Sequence, residues 1–340
     1  MKRNFRTMTA MLLLGLAAIQ IGCRDEPVGP TPTSIVIQFQ QGNEYLLTLT
    51  TEHIYRRVDE GQANVTRSLL ALGIELVFRP LTRGDVSQPG IEVQEKVADA
   101  TIRWVALEQE RDGSPPVAYD SREIVGNPPV GGEWAAAMLG ITFTIRFTPS
   151  GLPKATAGVS DSVERALNRI DGSLRTNSRL LIMQRIGPGA LVPILQYALR
   201  FNPDTPVVPG DSWVRSVDLA SPFAYIANQT WTLNQLDPNE LVIGLKEQIV
   251  PGTPPLDRSR DQTFRLVETL GGSGSGEIRV PLQSDRLFTG TIHRSLRGTQ
   301  QFEGPAGSEL DGKKWPVEIE IDQQFAVDLR KNVNASETPK

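Results

Sequence analysis

Glu318, Glu320 and Asp322 stand at i, i+2 and i+4 in VEIEID. On a strand this spacing puts three carboxylates on one face, with Val317, Ile319 and Ile321 on the other. Paired carboxylates are the working parts of glycoside hydrolysis, and acidic groups can also hold calcium. The same alternation is what any half-solvated strand requires, so a solvated face is the expectation and acid chemistry the rival. The two histidines, His53 and His293, each lie in a strand-like run with polar neighbours. A metal centre needs three or four ligands. With two histidines and one cysteine far apart, no such cluster is legible, and neither a metal nor a cofactor is expected.

Two further stretches invite chemistry and do not supply it. In Gly210-Asp211-Ser212 the serine resembles a lipase-type nucleophile, but neither histidine follows an aspartate by three residues, and no Gly-x-Ser-x-Gly elbow occurs. Trp213 and Val214 point instead to a turn that enters a strand. Gly271-Gly272-Ser273-Gly274-Ser275-Gly276 has the glycines of a phosphate loop. It lacks Gly-Lys-Ser/Thr and leads into a strand-like run, not into a helix N-terminus. A flexible connection is expected there. No catalytic residue is assigned.

The one cysteine, Cys23, carries more information. The chain opens MKRNFR, with Lys2, Arg3 and Arg6, and continues through an apolar run from Met8 to Ile21 broken by Thr9 and Gln20. A basic start, a short apolar stretch and a small residue before a break make a secretory signal. The run is shorter than the roughly 20 apolar residues a spanning helix needs. Ile21-Gly22-Cys23 resembles the lipobox of bacterial lipoproteins, with Gly22 as the small residue before the cut; Gln20 departs from the aliphatic residue usual there. The resemblance implies cleavage after residue 22 and acylation of Cys23, which is thus the expected lipid-attachment site. Anchoring by several acyl chains is far firmer than by one. Arg24 stands where an Asp often marks inner-membrane retention, so the outer membrane is the expected destination. Residues 23–34, with Pro27, Pro30 and Pro32, read as an extended tether.

Charge excludes one class of partner. The formal net charge is −4, and residues 1–22 carry three cations and no acid, so the chain after them stands at about −7. Dispersed charges and a mildly acidic balance make a poor nucleic-acid binder.

The elements that would position any site are mostly strands. Gly 30 and Pro 25, with alternating Thr, Val and Ile runs, point to a mainly antiparallel β protein with many turns. Runs at 34–40, 43–58, 64–81 and 91–113 read as strands. In the last, Ile102, Trp104 and Ala106 fall on one face and Arg103 and Val105 on the other. SPPVAYDSREIVGNPPVGGEW, 114–134, reads as a loop. In 140–158, Ile141, Phe143, Ile145 and Phe147 share a face before a turn at Pro149-Ser150-Gly151. Period-3.6 spacing then predicts helix over 161–186, with Val163, Leu167, Ile170 and Leu174 on one face, a capping box of Asp161 with Glu164, and an interruption at Gly172. A second helix, 190–201, carries Leu191, Leu195 and Leu199, with Pro193 in its first turn. These seven apolar residues are the candidates to line a ligand hollow. Strand-like runs resume from 212 to 330, with a hairpin at Pro238-Asn239, and 331–340 reads as a disordered tail. The expected organisation is thus 35–158 as an N-terminal β half, 159–201 as a helical segment, and 202–330 as a C-terminal β half. Both halves show glycine, strand, polar turn, strand, and a duplicated β unit is one arrangement consistent with this.

TPSGLPKATAG before the helices, PVVPGDSW after them and GSGEIRVPLQSDRLFTG near the end resemble a family of uncharacterised bacterial lipoproteins over most of residues 43–330. That resemblance implies fold and location and adds no chemistry. A looser likeness is to the envelope lipid carriers, in which a curved antiparallel sheet wraps an apolar hollow covered by helices. The sequence therefore gives three expectations. The first is a non-catalytic, lipid-anchored envelope protein that binds an amphiphile or a partner protein and meets the membrane through its N-terminal acyl chains. The second is a carboxylate-dependent hydrolase of envelope glycans. The third is a purely structural surface protein.

Overall fold

The computed structural model describes residues 32–35, 39–59, 61–84, 92–124, 127–148, 151–219, 224–252, 265–303 and 312–330. The signal segment, Cys23, the tether before residue 32 and the tail 331–340 lie outside the described residues. Thr33, at the end of the expected tether, bridges to Val207; of the run expected as a strand at 34–40 the described residues are Ser34, the buried Ile35, Phe39 and Gln40, none of them in a strand.

Twelve strands form one antiparallel, curved sheet. They are β1 (Glu44–Asp59), β2 (Gln62–Gly84), β3 (Glu92–Arg111), β4 (Val117–Asp120), β5 (Thr142–Phe147), β6 (Pro153–Ala157), β7 (Ser212–Leu219), β8 (Tyr225–Leu236), β9 (Glu240–Pro251), β10 (Arg265–Pro281), β11 (Arg286–Glu303) and β12 (Lys314–Arg330). The order is β6-β5-β3-β2-β1-β12-β11-β10-β9-β8-β7, with β4 paired to β3. The two β halves thus share one sheet and meet where β1 pairs with β12, with His53 opposite Ile321 and Leu49 opposite Phe325. Read across the sheet from β6 to β7, chain order descends in both halves, β6 to β1 and then β12 to β7. Four helices are described: α1 (Glu133–Met138), α2 (Val159–Leu167), α3 (Arg175–Ile186) and α4 (Pro188–Leu199).

Local chemistry explains most boundaries. Ile141, Phe143, Ile145 and Phe147 are all buried, as their alternation requires. The 161–186 pattern is divided at 168–174, around Gly172, into α2 and α3. Helix α2 starts earlier than expected, after Gly158 at φ 78, so Asp161 lies in its first turn and forms no capping box with Glu164. Pro188 heads α4 at a position where its missing N–H costs nothing, which places Pro193 inside the helix.

Three expectations are corrected. The Gly-rich stretch 271–276 is the middle of β10, not a connection. Residues 114–134 contain β4 and the start of α1. In β3 a bulge opposite Gly73/Ile74 inserts Arg103, so Ile102 and Val105 are both buried on the inner face while Trp104 faces out and stacks over Gly73. One extra residue reverses the alternation beyond it.

The curvature has a visible closure. Strands β6 and β7 are opposite edges of the sheet, yet both touch α4. Gln196 Nε2 donates to Pro153 O of β6 at 2.9 Å, and Arg200 Nη1 donates to Ser216 O of β7 at 3.2 Å. The sheet must therefore curl around the helices, which occupy its concave side. An exposed edge is a template for unwanted strand pairing, and the end of α4 covers both. The core between helices and sheet includes an aromatic group of Phe39, Tyr45, Phe78 and Phe147, and another of Phe201, Trp231, Phe288 and Phe325.

Candidate functional site

Charged residues occur at apolar phases of the inner face. In β9, Glu247 falls between the buried Leu245 and Ile249; in β11, Arg294 falls between Ile292 and Leu296. Neither strand neighbours the other, since β10 lies between them. Gly274 of β10 is opposite both. A Cβ at Gly274 would collide with Glu247 Oε2 and press on Arg294 Cγ. With no side chain there, Arg294 Nε reaches Glu247 Oε2 at 2.7 Å across the middle strand, at 1% and 0% exposure. Gln229 Nε2 donates to Glu247 Oε1 at 3.0 Å, Trp231 Nε1 to Gln229 Oε1 at 3.3 Å, and Arg294 Nη1 to Gln323 Oε1. A buried pair is tolerable only when further hydrogen bonds satisfy its remaining atoms, and this one is so supplied. Gly272 and Gly276 share the inner phase of β10, and a Cβ at either would meet a carbonyl of β11. The glycines let β10 and β11 approach closely in a curled sheet.

Further along the inner face of β1 lies His53, 7% exposed. Arg185, in the last turn of α3, approaches it with Nη1 3.2 Å from His53 Nδ1. A guanidinium only donates, so Nδ1 accepts and the ring proton sits on Nε2. Burial, then the positive fields of Arg185 and Arg294, pull the His53 pKa down to about 3. His53 is therefore neutral at ordinary pH. Toward the far end of β1, Tyr55 donates to Gln300 Oε1 at 2.8 Å and Gln300 donates to Glu268 Oε1 at 2.8 Å. Burial raises the Glu268 carboxyl, and burial with the Glu268 charge pushes the Tyr55 hydroxyl up to about 12.

The acids singled out by spacing are on the outer face, all along β12 and each engaged with β11. Arg297 meets Glu318 at 3.4 Å; Ser295 Oγ donates to Glu320 at 2.9 Å; His293 lies 3.3 Å from Glu320 and 2.8 Å from Asp322. Ser295 and His293 thus both turn to a carboxylate, not to each other. Ser212 is exposed and shares a hydrogen bond of 2.8 Å with Thr232 across β7 and β8. Among the described residues no group of three or more His, Cys, Asp and Glu could hold a metal, and no helix is long and apolar enough to cross a membrane.

Two of the surface pockets among the described residues bear on function. A groove of about 590 Å³ crosses β7–β9 beside Arg200, Arg215 and Lys246, and a second, of about 410 Å³, lies between Asp99 of β3 and Asp161 of α2. Neither is lined by the apolar helix residues proposed for a hollow. Val163, Leu167, Ile170, Leu191, Leu195 and Leu199 are buried in the helix–sheet core, whereas Leu174 is 40% exposed. Reading periodicity overlooked Arg185, Glu247, Arg294 and Glu268. For Glu247 and Arg294 a signal existed: a charge at an apolar phase of a strand, matched by a glycine on the strand between. Arg185 carried no such signal.

A family model described as a family of unknown function (DUF6263) matches residues 106–284, more than half of the chain. No curated protein matches the sequence at a significant level. Among solved structures, the crystal structure of Acinetobacter baumannii OccAB4 aligns over 86% of this chain and 99% of that one, at 8% identity and a TM-score of 0.13. Likeness at that score carries no argument.

Proposed function

We propose that this chain, which belongs to that family of unknown function (DUF6263), is an exported, lipid-anchored envelope protein with a non-catalytic binding role toward an amphiphile or a partner protein. One observation carries the binding role: a curved sheet holds a helical layer on its concave side and is joined to it at both edges through Gln196 and Arg200. The mouths of curled sheets are recurrent ligand sites. The anchor rests on the sequence, through Cys23 and the segment before it. The test is gentle purification of the full chain from membranes, followed by lipid extraction and mass analysis. A co-purifying amphiphile in stoichiometric amount supports the reading. Ligand-free protein that binds no amphiphile on reconstitution overturns its amphiphile form.

A second reading is supported by the smaller pocket. Asp99 and Asp161 come from two elements and line one space with Thr101, Thr142, Thr144 and Arg165. Asp99 accepts from Arg79 at 3.0 Å and from Thr144 at 3.1 Å, whereas Asp161 is exposed in the first turn of α2. Acids facing each other across a cleft are what a glycan hydrolase needs. Release of sugar from envelope glycan, abolished by Asp161→Asn, would favour this reading over the first.

A further inference from the structure

Arg185 has an unusual position for a cation. It is half-buried on the concave side of the sheet, and its contact is a neutral imidazole. A second interior arginine, Arg294, is matched by Glu247. Among the described residues no carboxylate pairs with Arg185. A guanidinium taken partly out of water without a counter-charge costs free energy, and its five N–H groups form a fork suited to a carboxylate or phosphate. Only Nη1 is used by His53. The ring also keeps the guanidinium from swinging away.

The helix supplies the rest of the pattern. Leu181 and Arg185, four residues apart, share one stripe of α3, and Leu174, the residue before the helix, continues that line past the buried Ser178. Leu174 is 40% exposed and Leu181 is 36% exposed. Partly exposed leucines in line with a guanidinium that no described carboxylate matches are complementary to a molecule with an alkyl chain and an oxyanion head.

We infer that Arg185, held by His53, is the oxyanion-binding residue of this protein, and that its ligand is a single-chain acidic amphiphile whose chain lies along Leu181 and Leu174. The inference deepens the binding role proposed above by naming the ligand class.

The test is calorimetric titration of the full chain with dodecanoate and, separately, with inorganic phosphate. Dodecanoate is expected to bind one to one. Arg185→Gln should weaken it at least tenfold, Arg185→Lys should restore part of the loss, and Leu181→Ser should weaken dodecanoate without changing phosphate. Cooperative melting of each variant excludes a folding defect. As a second readout in the unaltered protein, the His53 ring resonances should shift as either anion saturates. Phosphate binding lost in Arg185→Gln, without dodecanoate binding, overturns the amphiphile class and leaves a free-anion site. Dodecanoate binding that is indifferent to Arg185→Gln overturns the headgroup assignment while the broader binding role stands. Absence of saturable binding by either anion overturns the inference outright.

Discussion

Gln196 and Arg200, one turn apart at the end of α4, donate to carbonyls on opposite edges of the same sheet, Pro153 O at 2.9 Å and Ser216 O at 3.2 Å. Two residues on one helical face can reach both edges only if the sheet has curled nearly back on itself. The next residues extend the seam: Trp213 Nε1 of β7 donates to Phe201 O, and Arg215 donates to Asn202 O, each at 3.0 Å.

Removing either clasp should weaken closure. Gln196→Ala and Arg200→Ala are each expected to cost about 1 kcal/mol, the net worth of an ordinary hydrogen bond, read from urea midpoints. The double variant loosens both edges, so it should also form concentration-dependent oligomers by light scattering. A double variant as monomeric as the parent would show that other contacts shield the edges.

The glycine window in β10 gives a sharper expectation. Gly274→Ala pushes a methyl between Glu247 and Arg294 and should destabilise by about 3 kcal/mol or more, the scale of breaking a buried ion pair. Gly271→Ala, whose Cβ would meet Ile249 O at an ordinary 3.4 Å, should stay within about 1 kcal/mol of the parent. Equal effects at the two positions would contradict the role given to Gly274.

His53 should make stability fall in acid. Its folded pKa, about 3, lies below the unfolded value of 6.5. Between these values the unfolded chain holds more protons, so stability rises with pH. The contribution is present in full above pH 6.5 and is lost as pH falls toward 3. Comparison of the parent with His53→Asn isolates it from Glu268, whose raised carboxyl acts in the opposite direction. The difference in unfolding free energy between the two proteins should shrink by roughly 2.5 kcal/mol from pH 7.5 to pH 4.5, at up to ~1.4 kcal/mol per pH unit. A difference that does not vary with pH would place His53 outside the titrating set.

The outer-face cluster should behave differently. His293 is 54% exposed, and exposed ion pairs contribute little. His293→Ala is expected to change stability by no more than about 0.5 kcal/mol. A larger loss would mean that the contacts to Glu320 and Asp322 organise β11 against β12.

Much of the strand content was legible because alternation is a local signal. Phe143, Ile145 and Phe147 show their burial in their spacing, and the break near Gly172 follows from backbone freedom. What failed to show depends on neighbours distant in sequence. The glycines of 271–276 read as a linker because their purpose, room for Glu247 and Arg294, is set by strands on either side. Trp104 and Val105 were assigned to the wrong faces because a bulge is defined by the partner strand. The pairing of Arg185 with His53 joins residues 132 apart in sequence, and nothing in either local pattern announces it. Glu318, Glu320 and Asp322 drew attention by spacing, yet that spacing is simply the solvated side of β12.

The most direct measurement is native mass spectrometry of the full chain released from bacterial membranes in mild detergent. A lipid-anchored carrier predicts a polypeptide that begins at an acylated Cys23 and holds one noncovalent acidic amphiphile, with that adduct missing in Arg185→Gln. A chain with its leader intact and residue 23 unmodified, free of any adduct, would contradict it.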